Sequence, residues 1–231
     1  KISKQDNRIK VCKFDINYFN YSAIVNYGVE CSNGEYIVML NNDIEFITED
    51  WIEQLLMYAQ RPDVGICGAK LYFPDRSIQH AGVTLGTRGL AGHRCREVQE
   101  KDFKKDDYIN IVQDLSAVTA ACFMVRKQLY IDMLGFDEKL AVAFNDVDFC
   151  MKIRTAKYLI VYNPFVEAYH YESKSRGEDT ENTEKQKRFA KEYELFVKRW
   201  SKVIAKGDPY YNKNYRLDTD LPKINYNKIS Y

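Results

Sequence analysis

The chain has 231 residues, 45% hydrophobic and 29% charged, with 34 Lys and Arg against 33 Asp and Glu and a formal charge of +1. That is the composition of a globular protein long enough to bury a core, and the balanced charge argues against a dedicated nucleic-acid binder. No apolar run reaches membrane-spanning length, and the six cysteines include no C-x-x-C pair, which argues against a zinc ribbon or a thioredoxin-type centre.

Weak alternation from Ile9 to Phe14 predicts a strand. Asn20 to Cys31 then predicts a helix with Ile24, Tyr27, Gly28 and Cys31 on one face, stopped at Ser32-Asn33-Gly34. Tyr36 to Leu40 is a short, wholly apolar strand of the kind covered on both faces. A second helix is expected from Thr48 as N-cap, with Glu49 and Asp50 at the positive end of the dipole. Its expected inner face is Ile52, Leu55, Leu56 and Ala59, and Arg61-Pro62 ends it. Val64 to Phe73 reads as a strand followed by a turn at Pro74-Asp75-Arg76. From Thr84 to Asp114 the chain is polar, with Gly86, Gly89, Gly92 and a charge run from Lys101 to Asp107, which predicts a mobile functional loop.

Ala117 to Val125 predicts a buried strand, Gln128 to Leu134 a short helix closed by Gly135, and Asp146 to Ala156 a helix. Leu159 to Tyr162 predicts a strand stopped by Asn163-Pro164. Asn182 to Lys206 is a long amphipathic helix with Phe189, Tyr193, Phe196, Val197, Trp200, Val203 and Ile204 on one stripe, and the tail from Asp208 to Tyr231 is expected to lie extended over the domain. The alternation of strands and helices predicts an α/β fold with a mixed, mainly parallel sheet flanked by helices. Residues 1–231 are read as one domain, with 178–231 as its C-terminal helix and tail. Cys67 and Cys122 sit in apolar stretches and read as buried reduced thiols in a cytoplasmic setting.

Chemistry gathers at the ends of these elements. In Val38-Met39-Leu40-Asn41-Asn42-Asp43, an apolar strand stops at two amides and a carboxylate, which is either a turn or the lip of a metal and phosphate site. Asp146 and Asp148 open a helix, where Asp146 reads as an N-cap or as a catalytic carboxylate. His170, between Tyr169 and Tyr171, is a rim histidine or a ligand. In open α/β sheets the carboxyl ends of strands face the ligand crevice, so these distant positions can meet.

Taken in order, the motifs resemble the family-2 glycosyltransferases of the GT-A fold, in a polysaccharide-building, rhamnosyl- or galactosyl-transferase-like branch. They are Asn26, then Gly34-Glu35 with the strand running to Asn41-Asn42-Asp43, Ile78-Gln79-His80-Ala81-Gly82, Val118-Thr119-Ala120-Ala121-Cys122, Gly135-Phe136-Asp137, Asn145-Asp146-Val147-Asp148, His170-Tyr171-Glu172-Ser173 and Asp208-Pro209-Tyr210-Tyr211-Asn212. The resemblance implies a nucleotide-sugar donor held by Asn26, Asn41, Asn42 and Asp43, with Asn41 replacing the first carboxylate of the family's D-x-D element. It implies a divalent ion on Asp43 and His170, for which a mixed oxygen and nitrogen set favours Mn2+ slightly over Mg2+. Asp146 would be the general base, with Asn145 where the family has glutamate, and His80, Thr119, Ala120, Ala121 and Asp148 would meet a glycan acceptor.

The implied activity is inverting, metal-dependent sugar transfer in cell-surface polysaccharide synthesis, at the inner face of the membrane and without a spanning segment. Two rivals stand beside it: a non-catalytic glycan- or nucleotide-binding module, and a metal-dependent phosphohydrolase using Asp43, Asp146 and His170. The family's base- and ribose-binding turns, Pro-Thr-Tyr-Asn-like and Asp-Asp-Gly-Ser-like, have no counterpart before Val11. The expectation is therefore a piece of a longer parent chain.

Overall fold

A computed structural model describes residues 6–15, 18–104, 107–171 and 183–228. In chain order the elements are α1 (Tyr21–Cys31), β1 (Tyr36–Leu40), β2 (Ile44–Phe46), α2 (Trp51–Ala59), β3 (Val64–Tyr72), β4 (Ile78–His80), β5 (Val83–Leu85), β6 (Ala91–His93), β7 (Gln113–Asp114), β8 (Cys122–Arg126), α3 (Lys127–Asp132), α4 (Asn145–Thr155), β9 (Leu159–His170) and α5 (Thr183–Ile204). Glu172 and Ser173 of the His170 motif, Lys105 and Asp106 of the charge run, Asn182 and the last three tail residues lie outside the described residues.

The central strand β3 is buried at all of its positions, as a strand covered on both faces must be. The main sheet runs β1-β8-β3-β9-β2, with β4 paired to β3 and β7 to β9. Its character corrects the expectation of mainly parallel pairing. Among the described residues only β3 and β9 pair in parallel, while β1–β8, β3–β8, β2–β9, β3–β4 and β7–β9 are antiparallel. The cause is the placement of β8. Strands β1, β3 and β9 do run the same way, as β-α-β alternation dictates, but β8 inserts between β1 and β3 in the opposite direction.

Each face of the sheet carries its own core. Ile66, Phe123, Phe136, Phe149 and Tyr162 pack with Phe196 and Trp200 of α5 on one side. Leu55 and Ala59 of α2 pack with Cys67, Leu71, Cys122 and Val166 on the other. Helix α2 begins three residues later than expected, because the Thr48 hydroxyl donates to Phe165 O at 2.8 Å instead of capping it. That rotation turns Ile52 out (48% exposed) and brings Trp51 onto the core, stacked on Phe46 with ring centroids 3.9 Å apart. Residues 9–14 form no strand and are exposed.

Strand β9 does not stop at Asn163-Pro164. Its register against β3 passes from Ala69↔Asn163 directly to Lys70↔Glu167, so Pro164, Phe165 and Val166 form a bulge and pairing resumes beyond it. A bulge is one of the few places where a strand tolerates proline, which has no N–H to give the ladder. The backbone there is framed by Asn163, fully buried, whose Oδ1 accepts from Phe165 N at 3.1 Å while its amide nitrogen donates to Gln54 O at 3.0 Å.

Thr84–Asp114 is likewise not an open loop. Strands β5 and β6 form a hairpin, and Leu85, Cys95 and Ile109 reach the core. The C-terminal tail holds this segment down: Asp208 Oδ2 accepts from Leu85 N at 2.7 Å, and Asp220 O accepts from Cys95 N at 2.9 Å. His80 is fully buried beneath the hairpin. Its Nε2 accepts from Thr119 N at 3.3 Å, which leaves Nδ1 as the donor to His93 Nδ1 at 3.0 Å.

Helix α5 is fastened by charge as well as by Phe196 and Trp200. Asp148, fully buried, accepts from Arg199 Nη1 at 2.6 Å and from Trp200 Nε1 at 2.8 Å. Removing Asp148 leaves the buried Trp200 N–H without its acceptor and Arg199 with Asp137 alone, at a cost of about 3 kcal/mol. Asp148→Ala should therefore lower Tm by roughly 6–12 °C in a calorimetric scan, whereas Asp218→Ala, which breaks an exposed pair with Arg216, should leave it unchanged. An unaltered Tm in Asp148→Ala would remove this residue from the framework.

His80 supplies a second test. Burial, with the nearby charges of His93 and His170, holds its imidazole well below the usual histidine range. Below about pH 6.5 the unfolded chain takes up a proton that the native His80 refuses, so stability falls as pH falls, by about 1.4 kcal/mol per pH unit for this one group. Urea midpoints measured from pH 7 to pH 5 should drop more steeply in the wild type than in His80→Gln. Parallel profiles would show that His80 is protonated in the fold.

Candidate active site

The site begins where β1 ends. Asn41 N donates to Ala121 O at 3.0 Å, continuing the β1–β8 ladder by one bond. The chain then leaves the edge of the sheet and re-enters it at the opposite edge as β2, which pairs with the last residues of β9 in the register Ile44↔His170. Tyr171 N donates to Asp43 O at 3.0 Å. The three residues Asn41, Asn42 and Asp43 therefore cross the carboxyl ends of the strands, where ligands of α/β folds bind. They form a lip over the strand ends, with Asn42 and Asp43 in its turn.

That crossing brings the Asp43 carboxylate to His170. Asp43 Oδ1 lies 3.2 Å from His170 Nε2, and the Asn41 amide nitrogen lies 3.2 Å from the same ring nitrogen. The ring is held from behind by Gln79, whose Oε1 stands 2.6 Å from His170 Nδ1 while its Nε2 donates to His170 O at 3.1 Å. A backbone carbonyl only accepts, so the Gln79 amide is oriented with Oε1 toward the ring, and Nδ1 carries a proton. In the neutral imidazole the lone pair then sits on Nε2, facing Asp43. Asp43 Oδ1 is itself buried with no hydrogen-bond donor among the described residues. Two acceptors 3.2 Å apart, one of them anionic, are the donor set of a cation, and Gln79 plays the ring-orienting role that metal-bound histidines usually require.

The residues thus fit a divalent ion as two protein ligands, with the Asn41 amide beside them. Among the described residues no group of three His, Cys, Asp or Glu side chains gathers to hold a metal. An ion here needs oxygens from a second molecule to fill its shell.

Opposite the lip stands Asp146, at the start of α4. Its Oδ2 accepts from Ala120 N at 3.2 Å and its Oδ1 from Val147 N at 2.8 Å. Tyr21, at the start of α1, directs its hydroxyl to Asn41 Oδ1 at 3.2 Å and Ala120 O at 3.4 Å. Burial, reinforced by the charges of Asp146 and Asp43, pushes this phenol far above the usual tyrosine range and keeps it a donor. The Ala120 peptide is therefore held on both sides, N–H by Asp146 and C=O by Tyr21. Lip, Thr119–Ala121 and Asp146 enclose one cleft of about 500 Å³, closed on its apolar side by Phe19, Ile24 and Val142. The Val142 wall is secured from α5, because the buried Glu192 accepts from Ala143 N at 2.6 Å.

The structure brings together Asn41, Asn42, Asp43, Thr119, Ala120, Ala121, Asp146 and His170. It does not bring Asn26, His80 or Asp148 into the cleft, and donor contact by Asn26 and acceptor contact by the other two are corrected accordingly. The Asn26 amide is spent on the Gly135-Phe136 turn: Oδ1 accepts from Tyr130 OH at 2.6 Å and Phe136 N at 3.0 Å, and Nδ2 donates to Phe136 O at 3.0 Å. This also explains Gly135, which adopts φ +57° and where a Cβ would clash with Asn26 Oδ1 at 2.6 Å. His80 stands behind Thr119 and supports it, and Asp148 faces α5.

Two participants escaped the sequence reading, Gln79 and Tyr21. The signal for Gln79 was present, since two adjacent polar side chains inside the apolar run Ile78-Gln79-His80-Ala81 each need a buried partner.

The chain is similar to known proteins in sequence and in fold. The model of Glycosyl transferase family 2 matches residues 1–134, more than half of the chain. An uncharacterized protein y4gI of Sinorhizobium fredii is 42% identical over 220 residues, 94% of this chain and 24% of its own length. The O-antigen biosynthesis protein RfbC of Myxococcus xanthus is 33% identical over 201 residues, 86% of this chain and 15% of its own. An N-acetylglucosaminyl-diphospho-decaprenol L-rhamnosyltransferase of Mycobacterium tuberculosis is 23% identical, over 63% of this chain and 50% of its own. The chain thus spans about a quarter or less of the length of the first two. In fold, it aligns with the crystal structure of GalNAc-T7 with UDP, GalNAc and Mn2+ at a TM-score of 0.65, over 88% of this chain and 40% of that one, at 12% identity. With a family match of that extent on a mixed α/β sheet of this shape, the chain belongs to glycosyl transferase family 2.

Proposed function

We propose that the cleft moves a sugar, with inversion, from a nucleoside-diphosphate sugar to a hydroxyl of a glycan acceptor in cell-surface polysaccharide synthesis on the cytoplasmic side of the membrane. One observation carries the reading. Asp43 and His170 meet on one wall of the cleft and Asp146 stands alone on the other, with Thr119–Ala121 between them. The names of RfbC and the mycobacterial rhamnosyltransferase support the direction of the assignment.

Asp43 and His170 would hold Mn2+ or Mg2+, whose role when bound is to neutralise charge developing on the departing diphosphate. Asn41 and Asn42 line the same lip and offer amide groups to the nucleotide. Tyr21 fixes the Asn41 amide and Ala120 together, so the donor lip and the acceptor wall keep one spacing. The small side chains of Ala120 and Ala121 leave room for a sugar ring against the backbone. Asp146 is placed to take the proton of the attacking hydroxyl, because inversion requires attack from the side opposite the leaving group. The phosphohydrolase reading is less well served, since Asp146 does not join Asp43 and His170 in one metal cluster among the described residues.

Two measurements test the assignment on the full-length protein. Calorimetric titration with UDP should show binding that Mn2+ strengthens, and the Asp43→Ala, His170→Ala double variant should lose that dependence while keeping its circular dichroism. Mn2+-strengthened binding that persists in the double variant would move the metal elsewhere. Asp146→Asn should cut turnover about 100- to 10,000-fold with UDP–Mn2+ affinity near wild type. Near-normal turnover in that variant would leave Asp146 as a helix-start residue only.

A further inference from the structure

A second groove, of about 760 Å³, lies between the β9 bulge on one side and Gln99–Lys101, Phe103 and Asn110 on the other. Its size falls within the range of small-molecule sites, roughly 300–1,000 Å³. Glu167 on its wall precedes His170 by three residues, roughly 10 Å along the strand. None of its lining residues belongs to the cleft described above.

Two independent features of the groove point to a ligand. The first is Phe165. The bulge turns this ring outward, 58% exposed, and the surrounding frame prevents it from folding back. Asn163 Oδ1 holds Phe165 N, the Thr48 hydroxyl holds Phe165 O, and Thr48 Oγ1 in turn accepts from Glu167 N at 2.9 Å. Bulges that re-aim a side chain are concentrated at functional sites, and an apolar ring presented on a fixed backbone gains nothing for the fold itself.

The second is the charge arrangement. Lys70, only 3% exposed, pairs with Glu167 at 2.7 Å and donates to Asn110 Oδ1 at 3.0 Å. Arg76 pairs with Glu100 at 2.6 Å, and Tyr72 OH lies within hydrogen-bond distance of both glutamates. The four inner charges cancel as two pairs, Lys70 with Glu167 and Arg76 with Glu100, and the remaining charge, Lys101, is exposed at the rim, so the wall itself offers no net field for a phosphate or a cation. What it offers is a fixed set of strong donors and acceptors beside an aromatic face. That is the chemistry that recognises hydroxyl groups on a ring with an apolar face.

We infer that this groove binds a neutral saccharide unit of the glycan that the chain extends, with Phe165 under the ring's C–H face and Glu100, Glu167 and Asn110 on its hydroxyls. The identity of the ligand as part of that glycan rests on the proposed transferase reading; the groove and its preference for an uncharged polyol do not. Contacts here would select an acceptor by units remote from the hydroxyl being glycosylated.

The experiment is saturation-transfer NMR of the full-length protein with neutral trisaccharides of rhamnose, galactose and glucose. UDP with Mn2+ is added to fill the first cleft, and inorganic phosphate serves as an anionic probe. At least one trisaccharide should bind in the presence of UDP and Mn2+, and Phe165→Ala should weaken it about ten-fold, with Glu100→Gln weakening it as well. The inference is overturned if no trisaccharide binds, if UDP with Mn2+ displaces it, if phosphate competes for the groove, or if Phe165→Ala binds as tightly as wild type. Loss of UDP binding with trisaccharide binding intact would sink the donor-site reading alone, and the reverse pattern would sink the groove alone.

Discussion

The pairing of β2 with the end of β9 is the constraint on which the site depends. A three-residue strand contributes little to stability by itself, because each of its hydrogen bonds nets only about 0.5–1.5 kcal/mol. Its effect is geometric. By docking Ile44 opposite His170, it stretches Asn41, Asn42 and Asp43 across the strand ends and sets a carboxylate against an imidazole. The fold carries a cost there, since a buried carboxylate oxygen without a donor is unfavourable by about 1–3 kcal/mol or more. The surrounding cores, with β3 buried throughout, offset it. Binding an ion at the lip would return that free energy, which couples donor binding to the rigidity of the whole strand edge.

Much of this was legible in the sequence, and the limits have physical causes. Apolar runs such as Tyr36–Leu40 and Val64–Tyr72 show themselves as strands, and α5 shows itself through its apolar stripe, whereas the cap of α4 is Phe144 and not the Asp146 that the sequence suggested. The lip was legible because polar residues end an apolar strand abruptly. Partner choice was not. Whether β8 lies between β1 and β3 is decided by long-range packing, and nothing local in Cys122–Arg126 records its direction. Residues whose amides or carboxylates look free in a sequence, such as Asn26 and Asp148, are claimed by the Phe136 turn and by α5. Thr84–Asp114 looked unstructured because its hairpin strands are only three residues long and the tail contacts that hold it pair residues far apart in the chain, as Leu85 does with Asp208.

The C-terminal segments are part of the catalytic architecture and not an appendage. Glu192, raised toward neutrality by burial yet held by backbone donors of the 141–143 loop, anchors the wall that leads into Asp146. Asp208 joins the β5 strand to Ser116, its Oδ1 accepting from the Ser116 hydroxyl at 2.7 Å. Ser116 lies just ahead of Thr119–Ala121, so Asp208 steadies that wall of the cleft from the tail.

The β9 bulge sets a length. Were Pro164, Phe165 and Val166 paired in the ladder instead of bulged, Lys70 would face residue 164 where it now faces Glu167, and everything beyond would shift by three positions, roughly 10 Å. Three is odd, so the shift would also exchange the two faces of the strand. His170 would overshoot Asp43 and point away from it. The bulge therefore takes up three residues of slack, and by doing so it keeps His170 opposite Ile44 and beside Asp43.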